Sequence, residues 1–390
     1  MKWYFAINQQ GTGNEAGALA RLAVRSARKT TNLEPYLLYR GERSQFTAWM
    51  EDQGVTIIDV LPQYETSLQR AITEGWYPSA WTGHWLRTEI CNVELEDEFV
   101  LYTDVDVIFL KPIELSGVRP RFFACAPEMN IDERAHFNTG VMVMNVPALR
   151  ADYPRLRAAI EHRFSTGART PFHDQTIYNS VYHGLQDQLD PIYNWKPYWP
   201  ANPNAAIFHF HGPKLNAIVA VIAGTWSLES EYGLMVGRLL GQHLPQYVPY
   251  LEIMRDMAHP GDPLRERLEV ILRGIPTAVS AGRSALQLYD QRDDALPRPT
   301  TATAQRPDLP PERLWRQIGQ YAWERADGRA FVTEDAGRSG PAWTGALRLY
   351  VVGQPSPKFL ADHLGRVRAF ASAEDAMQVC DVTLTEKNMA

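Results

Sequence analysis

At 390 residues the chain is longer than one ordinary domain, and its 45% hydrophobic and 22% charged content is globular, which excludes a largely disordered protein. Lysine and arginine total 39 against 45 acidic residues, a formal charge of -6 with no basic excess, which argues against a general nucleic-acid binder. Cys91, Cys125 and Cys380 are too few and too scattered for a disulfide framework or a zinc site, and they fit a reducing compartment.

KWYFAI near the N-terminus reads as a first strand, since aromatic and branched side chains suit a pleated, buried surface. The Gly- and Asn-rich loop NQQGTGNEAG leads into a helix on which Leu19, Leu22, Ala23 and Ser26 share a face. EPYLLYRG is a second strand, 44–53 a polar helix and VTIIDV a third strand. That rhythm predicts an α/β fold with a parallel sheet covered by helices. HWLRTEICNVEL follows as an amphipathic helix, and EDEFVLYTDVDVIFLKP as an apolar strand interrupted by two aspartates. RFFACAP and TGVMVMNV are further strands, ALRADYPRLRAAIEHRF is a helix, HDQTIYNSVYHG begins another, and AAIFHFHG is the last strong strand.

Beyond Lys214 the rhythm stops. The expected plan is a domain over 1–214, a helical extension over 215–292, a Pro- and Thr-rich linker over 293–311 and a small C-terminal α+β domain over 312–390. In the last, LWRQIGQYAWERA is read as a helix, RAFVTED and ALRLYVVG as strands, and the terminus as a helix. The apolar run ending at Ile7 is too little for a signal peptide, and AIVAVIAG is far short of the roughly 20 residues of a spanning helix. A soluble, cytoplasmic chain without a transmembrane segment is expected.

The sharpest chemical feature is Asp104-Val105-Asp106. On a strand, both carboxylates would face one side and Val105 the other. Two such carboxylates at the end of an apolar strand are costly unless something positive lies between them. Open α/β sheets bind ligands at the carboxyl ends of their strands, and a divalent cation touching a diphosphate would explain the pair. Hard oxygen ligands suit manganese or magnesium. The plain alternative is a strand-end pair that caps a loop or meets an arginine. A haloacid-dehalogenase-type phosphatase also carries Asp-x-Asp after an apolar strand, but near its N-terminus and with later acids at another strand end. Here about a hundred residues come first, and the later pair, Asp293-Asp294, falls in the polar linker. Further along, His209 and His211 share a face of their strand, and spacing alone does not choose between them as ligands. GTGNEAG lacks the spacing of a dinucleotide fingerprint.

Taken in order, HWLRTEICNVELEDEFVLYTDVDVIFLKPIEL, HFNTGVMVMNVPALR, HDQTIYN and IFHFHGPK resemble segments of the family 8 retaining glycosyltransferases, the group of glycogenin and the bacterial lipopolysaccharide galactosyl- and glucosyltransferases. The resemblance covers roughly 1–214 and implies the GT-A fold, a Rossmann-like mixed sheet with helices on both faces. It implies metal ligation by Asp104, Asp106 and His209, with Val105, Asn138, Thr139, Gly140, Gly212 and Lys214 at the nucleotide sugar and Asn8 near its base and ribose. Arg87 would face the sugar and phosphate, Asp174 would hydrogen-bond the donor sugar, and Gln175 would lie near the anomeric carbon. Asp174 could equally cap its helix. Where the family continues Lys-Pro-Trp, this chain reads Lys214-Leu215-Asn216, a departure at the loop that closes over the nucleotide.

The implied activity is metal-dependent transfer of a hexose from a nucleotide diphosphate sugar, a UDP-sugar in the family, to a hydroxyl acceptor such as a glycan, a lipid-linked glycan or a small molecule. The other reading is a non-catalytic glycan- or nucleotide-binding module on the same scaffold. Trp76, Tyr77, Trp81, Trp85, Tyr193, Trp195, Tyr198 and Trp199 flank the motif segments, either as flat faces for sugars or as core. Residues 215–390 carry no readable motif. Acceptor recognition, docking at a membrane surface or homo-oligomer formation is each compatible with them.

Overall fold

The computed structural model describes residues 1–133, 136–165, 172–227 and 231–281, together with the backbone of strands between 315 and 370. The described chain falls into two units, Met1–Thr225 with Gln242–Arg283, and Trp226–Gly241 with Ser284–Ala390.

The first unit is built on a seven-stranded sheet. In chain order it runs β1 (Lys2–Asn8), α1 (Gln9–Thr12), α2 (Glu15–Thr30), β2 (Glu34–Arg40), α3 (Gln45–Asp52), β3 (Thr56–Asp59) and α4 (Glu65–Thr73). A 3-10 segment over Ser79–Glu89 leads into α5 (Ile90–Val93), β4 (Phe99–Thr103), β5 (Val107–Phe109), β6 (Phe123–Pro127) and β7 (Phe137–Asn145). Then come α6 (Val146–Ser165), α7 (Asp174–Val181), β8 (Asp187–Gln188), β9 (Ile207–His209) and α8 (Leu215–Ile222). Two further helices follow in the chain, α9 (Glu231–Met257), whose residues up to Gly241 belong to the second unit, and α10 (Pro263–Ala281).

The sheet order is β3-β2-β1-β4-β7-β6-β8. β3, β2, β1 and β4 run parallel, while β7 is antiparallel to both β4 and β6. The sheet is therefore mixed where the residue pattern predicts a parallel one, as the GT-A resemblance implies. Strand side chains alternate between two apolar clusters, so both faces are buried. Tyr4, Leu38, Tyr102, Met142 and Met144 pack on one face with α4 and α6, whose Leu68, Leu156 and Ile160 join them. Trp3, Phe5, Leu37, Leu101, Val141 and Val143 pack on the other with Ala20, Ala23 and Val24 of α2. Each fully buried large apolar side chain contributes about 1.5–3 kcal/mol. HWLRTEICNVEL is mostly 3-10 rather than α-helical, with only its end in α5.

A two-stranded sheet, β5 with β9, stands apart from the main one. The long apolar strand expected around the aspartates is thus two strands, β4 and β5, in different sheets. Asp104, Val105 and Asp106 form the bend between them, so the expected strand geometry of the pair does not hold. A chain leaving one sheet for another must turn, and that turn releases both carboxylates from pleat alternation.

In the second unit, Trp315–Gly319 (β10) and Ala322–Arg325 (β11) are strands that pair antiparallel, where LWRQIGQYAWERA is expected to be a helix. Its aromatic and branched residues suit strands, and the helical spacing was overridden by pairing with a neighbour. The sheet continues through β12 (Ala330–Glu334), β13 (Trp343–Val351) and β14 (Gln354–Phe359), with β15 (Ala369–Phe370) also on β13. The expected linker at 293–311 and the expected terminal helix lie outside the described residues. Among the described residues no helix is long and apolar enough to cross a membrane.

Candidate functional site

Strand pairing gathers the motif residues. Val107 of β5 lies opposite His209 of β9, and the Phe210 amide donates to the Asp106 carbonyl at 2.7 Å. On the other side, the Asp104 amide donates to the Gly140 carbonyl at 2.8 Å, anchoring the bend to β7. His209 Nε2 lies 3.4 Å from Asp106 Oδ1 and 4.0 Å from Asp104 Oδ2. One ligand atom from each of Asp104, Asp106 and His209 lies within 4.8 Å of the others, so the three could hold a metal ion. Two carboxylates and an imidazole match the donor set of a borderline-hard divalent cation.

The imidazole is presented with its free nitrogen toward the acids. Its Nδ1 is 2.9 Å from Asn194 Oδ1, an atom that only accepts, so Nδ1 carries the proton and Nε2 offers a lone pair. Asn194 Nδ2 in turn donates to Asn138 Oδ1 at 2.9 Å. Asn194 reaches this place because the Trp195 carbonyl accepts from the His209 amide at 2.8 Å. Burial pushes the His209 imidazole below its ordinary value against the pull of Asp106. Glycine at 140 has a steric cause: an added Cβ would stand 2.1 Å from His209 Cε1.

His211 points elsewhere. Its Nε2 lies 3.1 Å from Glu128 Oε1 and its Nδ1 2.8 Å from the Tyr198 hydroxyl, so it is not part of the Asp104–Asp106–His209 group.

Lys214 Nζ donates to Asp106 Oδ2 at 2.5 Å. Burial alone would raise the Asp106 carboxyl, but Lys214 and His209 together hold it well below the ordinary range. Lys214 sits at the start of α8, whose Leu215 and Asn216 amides donate to the Glu15 carboxylate at 2.6 and 3.3 Å. An acid at a helix N-terminus satisfies otherwise unpaired amides and faces the positive end of the dipole. The Lys-Leu-Asn sequence is therefore tied to the first turn of α2. Gly212, two residues earlier, has φ of 83°, a left-handed turn that glycine takes without strain.

Arg87 is only 4% exposed and lies between acids. Its Nη2 donates to Asp104 Oδ1 at 2.9 Å, its Nε is 2.5 Å from Asp174 Oδ2, and Nη1 donates to the Thr139 carbonyl. Burial opposes its charge, yet Asp104 and Asp174 outweigh this and hold the guanidinium protonated. Asp174 opens α7 and is likewise buried. Asn8 ends β1 with its amide donating to Thr82 Oγ1 at 2.8 Å and its oxygen accepting from the Gly11 amide at 2.9 Å. Val105 packs at the edge of the α2-side cluster.

Gln175 belongs to a hydrogen-bonded group that spacing could not reveal. Its Oε1 accepts from the Thr139 amide at 3.0 Å, Thr139 Oγ1 at 3.2 Å and Asn138 Nδ2 at 3.1 Å. Its Nε2 donates to Glu128 Oε2 at 2.9 Å, the oxygen that also accepts from Asn138 Nδ2 at 2.9 Å. Nearby, Lys196 is buried with Nζ donating to the Pro127 carbonyl at 2.7 Å and lying 4.2 Å from the Trp199 ring centre. Burial pushes its ammonium down to about 7, with Glu128 opposing. Glu128, Asn194 and Lys196 carry no motif, and only the apolar context of CAPE and NWKPYW marks their neighbourhoods. Of the flanking aromatics, Tyr77, Trp85, Trp195, Tyr198 and Trp199 are core, while Trp81 lies against the His173 ring at 4.2 Å.

No family model matches the chain, and no curated protein matches its sequence. Among solved structures it is similar to the glycosyltransferase GlyE of Streptococcus pneumoniae TIGR4, at 17% identity and a TM-score of 0.40 over 54% of each chain. The match thus spans about half the length of GlyE. It is also similar to the galactosyltransferase LgtC, solved with donor and acceptor sugar analogs, at 17% identity and a TM-score of 0.42 over 62% of this chain and 95% of that one. A third similarity is to mouse xyloside xylosyltransferase 1, at 15% identity and a TM-score of 0.39 over 54% of this chain and 96% of that one.

Proposed function

We propose that the chain is a metal-dependent hexosyltransferase that uses a nucleotide diphosphate sugar, of the UDP type, and transfers the sugar to a hydroxyl acceptor with retention. The observation that carries this reading is the meeting of Asp104, Asp106 and His209 beside Lys214, at a bend between two sheets. Residues 1–214 would form the catalytic domain, and 215–390 would serve acceptor recognition or assembly.

A manganese or magnesium ion held by Asp104, Asp106 and His209 would supply charge neutralisation for a departing diphosphate. Lys214, a compact cation already at Asp106, would turn toward the phosphate oxygens when these arrive. Arg87 would hold Asp104 by a hydrogen bond from Nη2 and Asp174 by the close ion pair with its Nε. In transfer, the bond from the anomeric carbon to the phosphate oxygen breaks and its electron pair stays on the diphosphate. The acceptor oxygen bonds to the same carbon, and its proton passes to the departing phosphate oxygen. The amide of Gln175 is a poor nucleophile, which favours this front-side course over a covalent intermediate.

The test is hydrolysis of a panel of nucleotide sugars with and without Mn2+. Slow metal-dependent hydrolysis of one donor is expected, and Asp106→Asn should reduce it about 10²–10³-fold, or roughly 3–4 kcal/mol of barrier. Full metal-dependent turnover by Asp106→Asn would overturn the assignment. Donor binding without turnover would point to a binding module, and hydrolysis of simple phosphate esters to a phosphatase.

A further inference from the structure

The Gln175 amide is committed in a way that limits what it can do for a sugar. Three donors converge on its Oε1, from the Thr139 amide, the Thr139 hydroxyl and Asn138 Nδ2. A carbonyl oxygen has two lone pairs, and those of Gln175 are already engaged by these donors, which weakens what it can offer a developing positive charge. The amide nitrogen is bonded to Glu128 at 2.9 Å and retains one hydrogen. A negative group nevertheless stands beside it. Glu128 receives Asn138 and Gln175 on Oε2 and His211 on Oε1, and 21% of its side chain remains exposed.

We propose that Glu128 is a catalytic residue, the fixed negative charge that faces the positive charge developing on the donor sugar, with Gln175 as the amide that orients it. This rests on the transferase reading of the site. Although burial alone would raise its carboxyl, His211, Lys196 and the Asn138 hydrogen bond bring it down to about 2, so Glu128 stays an anion at neutral pH. An anion so weakly basic is unsuited to removing a proton and suited to electrostatic stabilisation. No bond to Glu128 is required. The charge acts across a contact to the sugar while the phosphate leaves and the acceptor attaches.

The experiment compares Glu128→Gln, Gln175→Glu and the exchanged pair Glu128→Gln/Gln175→Glu in the full chain, by metal-dependent hydrolysis of the accepted nucleotide sugar. Glu128→Gln preserves shape and can still accept from Gln175. It is expected to lower kcat about 10²-fold, with donor KM within about threefold, and with melting temperature and Mn2+ affinity near wild type. Gln175→Glu alone sets two carboxylates against each other and should also lose activity. The exchanged pair returns one charge and one amide to the contact and should recover at least about tenfold over Glu128→Gln. Retention of kcat within about threefold by Glu128→Gln overturns the proposal, as does a loss that tracks Mn2+ affinity or failure of the exchange to recover activity. Absence of any metal-dependent turnover by the wild-type chain instead overturns the transferase reading, and this inference falls with it.

Discussion

Asn194→Leu tests how the His209 ring is held. The substitution keeps approximate volume and removes both polar contacts of the side chain, which join His209 Nδ1 to Asn138 Oδ1 through two 2.9 Å hydrogen bonds. The freed His209 Nδ1–H is buried without a partner. Asn138 Oδ1 retains the Gly140 amide at 3.1 Å, so its loss is partial. An orphaned buried polar group costs about 1–3 kcal/mol, which puts the expected destabilisation at about 2–4 kcal/mol. The ring also loses the partner that fixes its tautomer, and outer contacts of this kind are worth about 10–100-fold in metal affinity. Urea unfolding measures the first quantity, and titration with Mn2+ followed by electron paramagnetic resonance measures the second. Asn194→Asp keeps an acceptor for His209 and should lose less affinity than Asn194→Leu. If Asn194→Leu loses stability while Mn2+ affinity stays within about twofold of wild type, strand pairing alone holds the ring and the reasoning is wrong.

Gly140→Ala should act on the same ring from the other side. Its Cβ would meet His209 Cε1 at 2.1 Å, so the imidazole must shift, with at least about a tenfold loss of Mn2+ affinity and about 1–3 kcal/mol of stability. Unchanged affinity would show that the ring has room to move. Away from the site, buried Glu94 accepts from the Tyr4 hydroxyl at 2.6 Å, the Glu96 and Asp97 amides at 2.7 and 2.9 Å, and Lys2 at 3.1 Å. Burial would raise this carboxyl, but those donors outweigh it and lower it from 4.5 to about 2. Its stabilisation, up to about 3 kcal/mol, is present above pH 4.5 and is lost as pH falls toward 2. Stability of Glu94→Gln should fall less steeply across that window in urea titrations at stepped pH, and an identical slope would refute the linkage.

Residue patterns alone carried the α/β class, most strand positions and the motif segments. Apolar alternation and helix periodicity are local, and each segment such as KWYFAIN or ALRADYPRLRAAIEHRF holds its own evidence. Four things were decided only by the folded chain. The strand break at Asp104 follows from β5 leaving the main sheet to pair with β9, and no local pattern marks a change of sheet. His209 and His211 are equivalent by spacing, and they part because one ring meets Asp106 and the other Glu128. The helical reading of LWRQIGQYAWERA failed because strand pairing overrode periodicity.

The amide and carboxylate cluster of Glu128, Asn138, Gln175 and Asn194 was the least legible. Side-chain hydrogen bonds between distant segments leave no period in the sequence, since what creates them is the approach of the end of β6, β7, α7 and the segment around Asn194. Residue types indicated which chemistry was affordable to this chain. Long-range strand pairing determined which of those residues meet, because a contact across a hundred residues depends on sheet order rather than on neighbours along the chain.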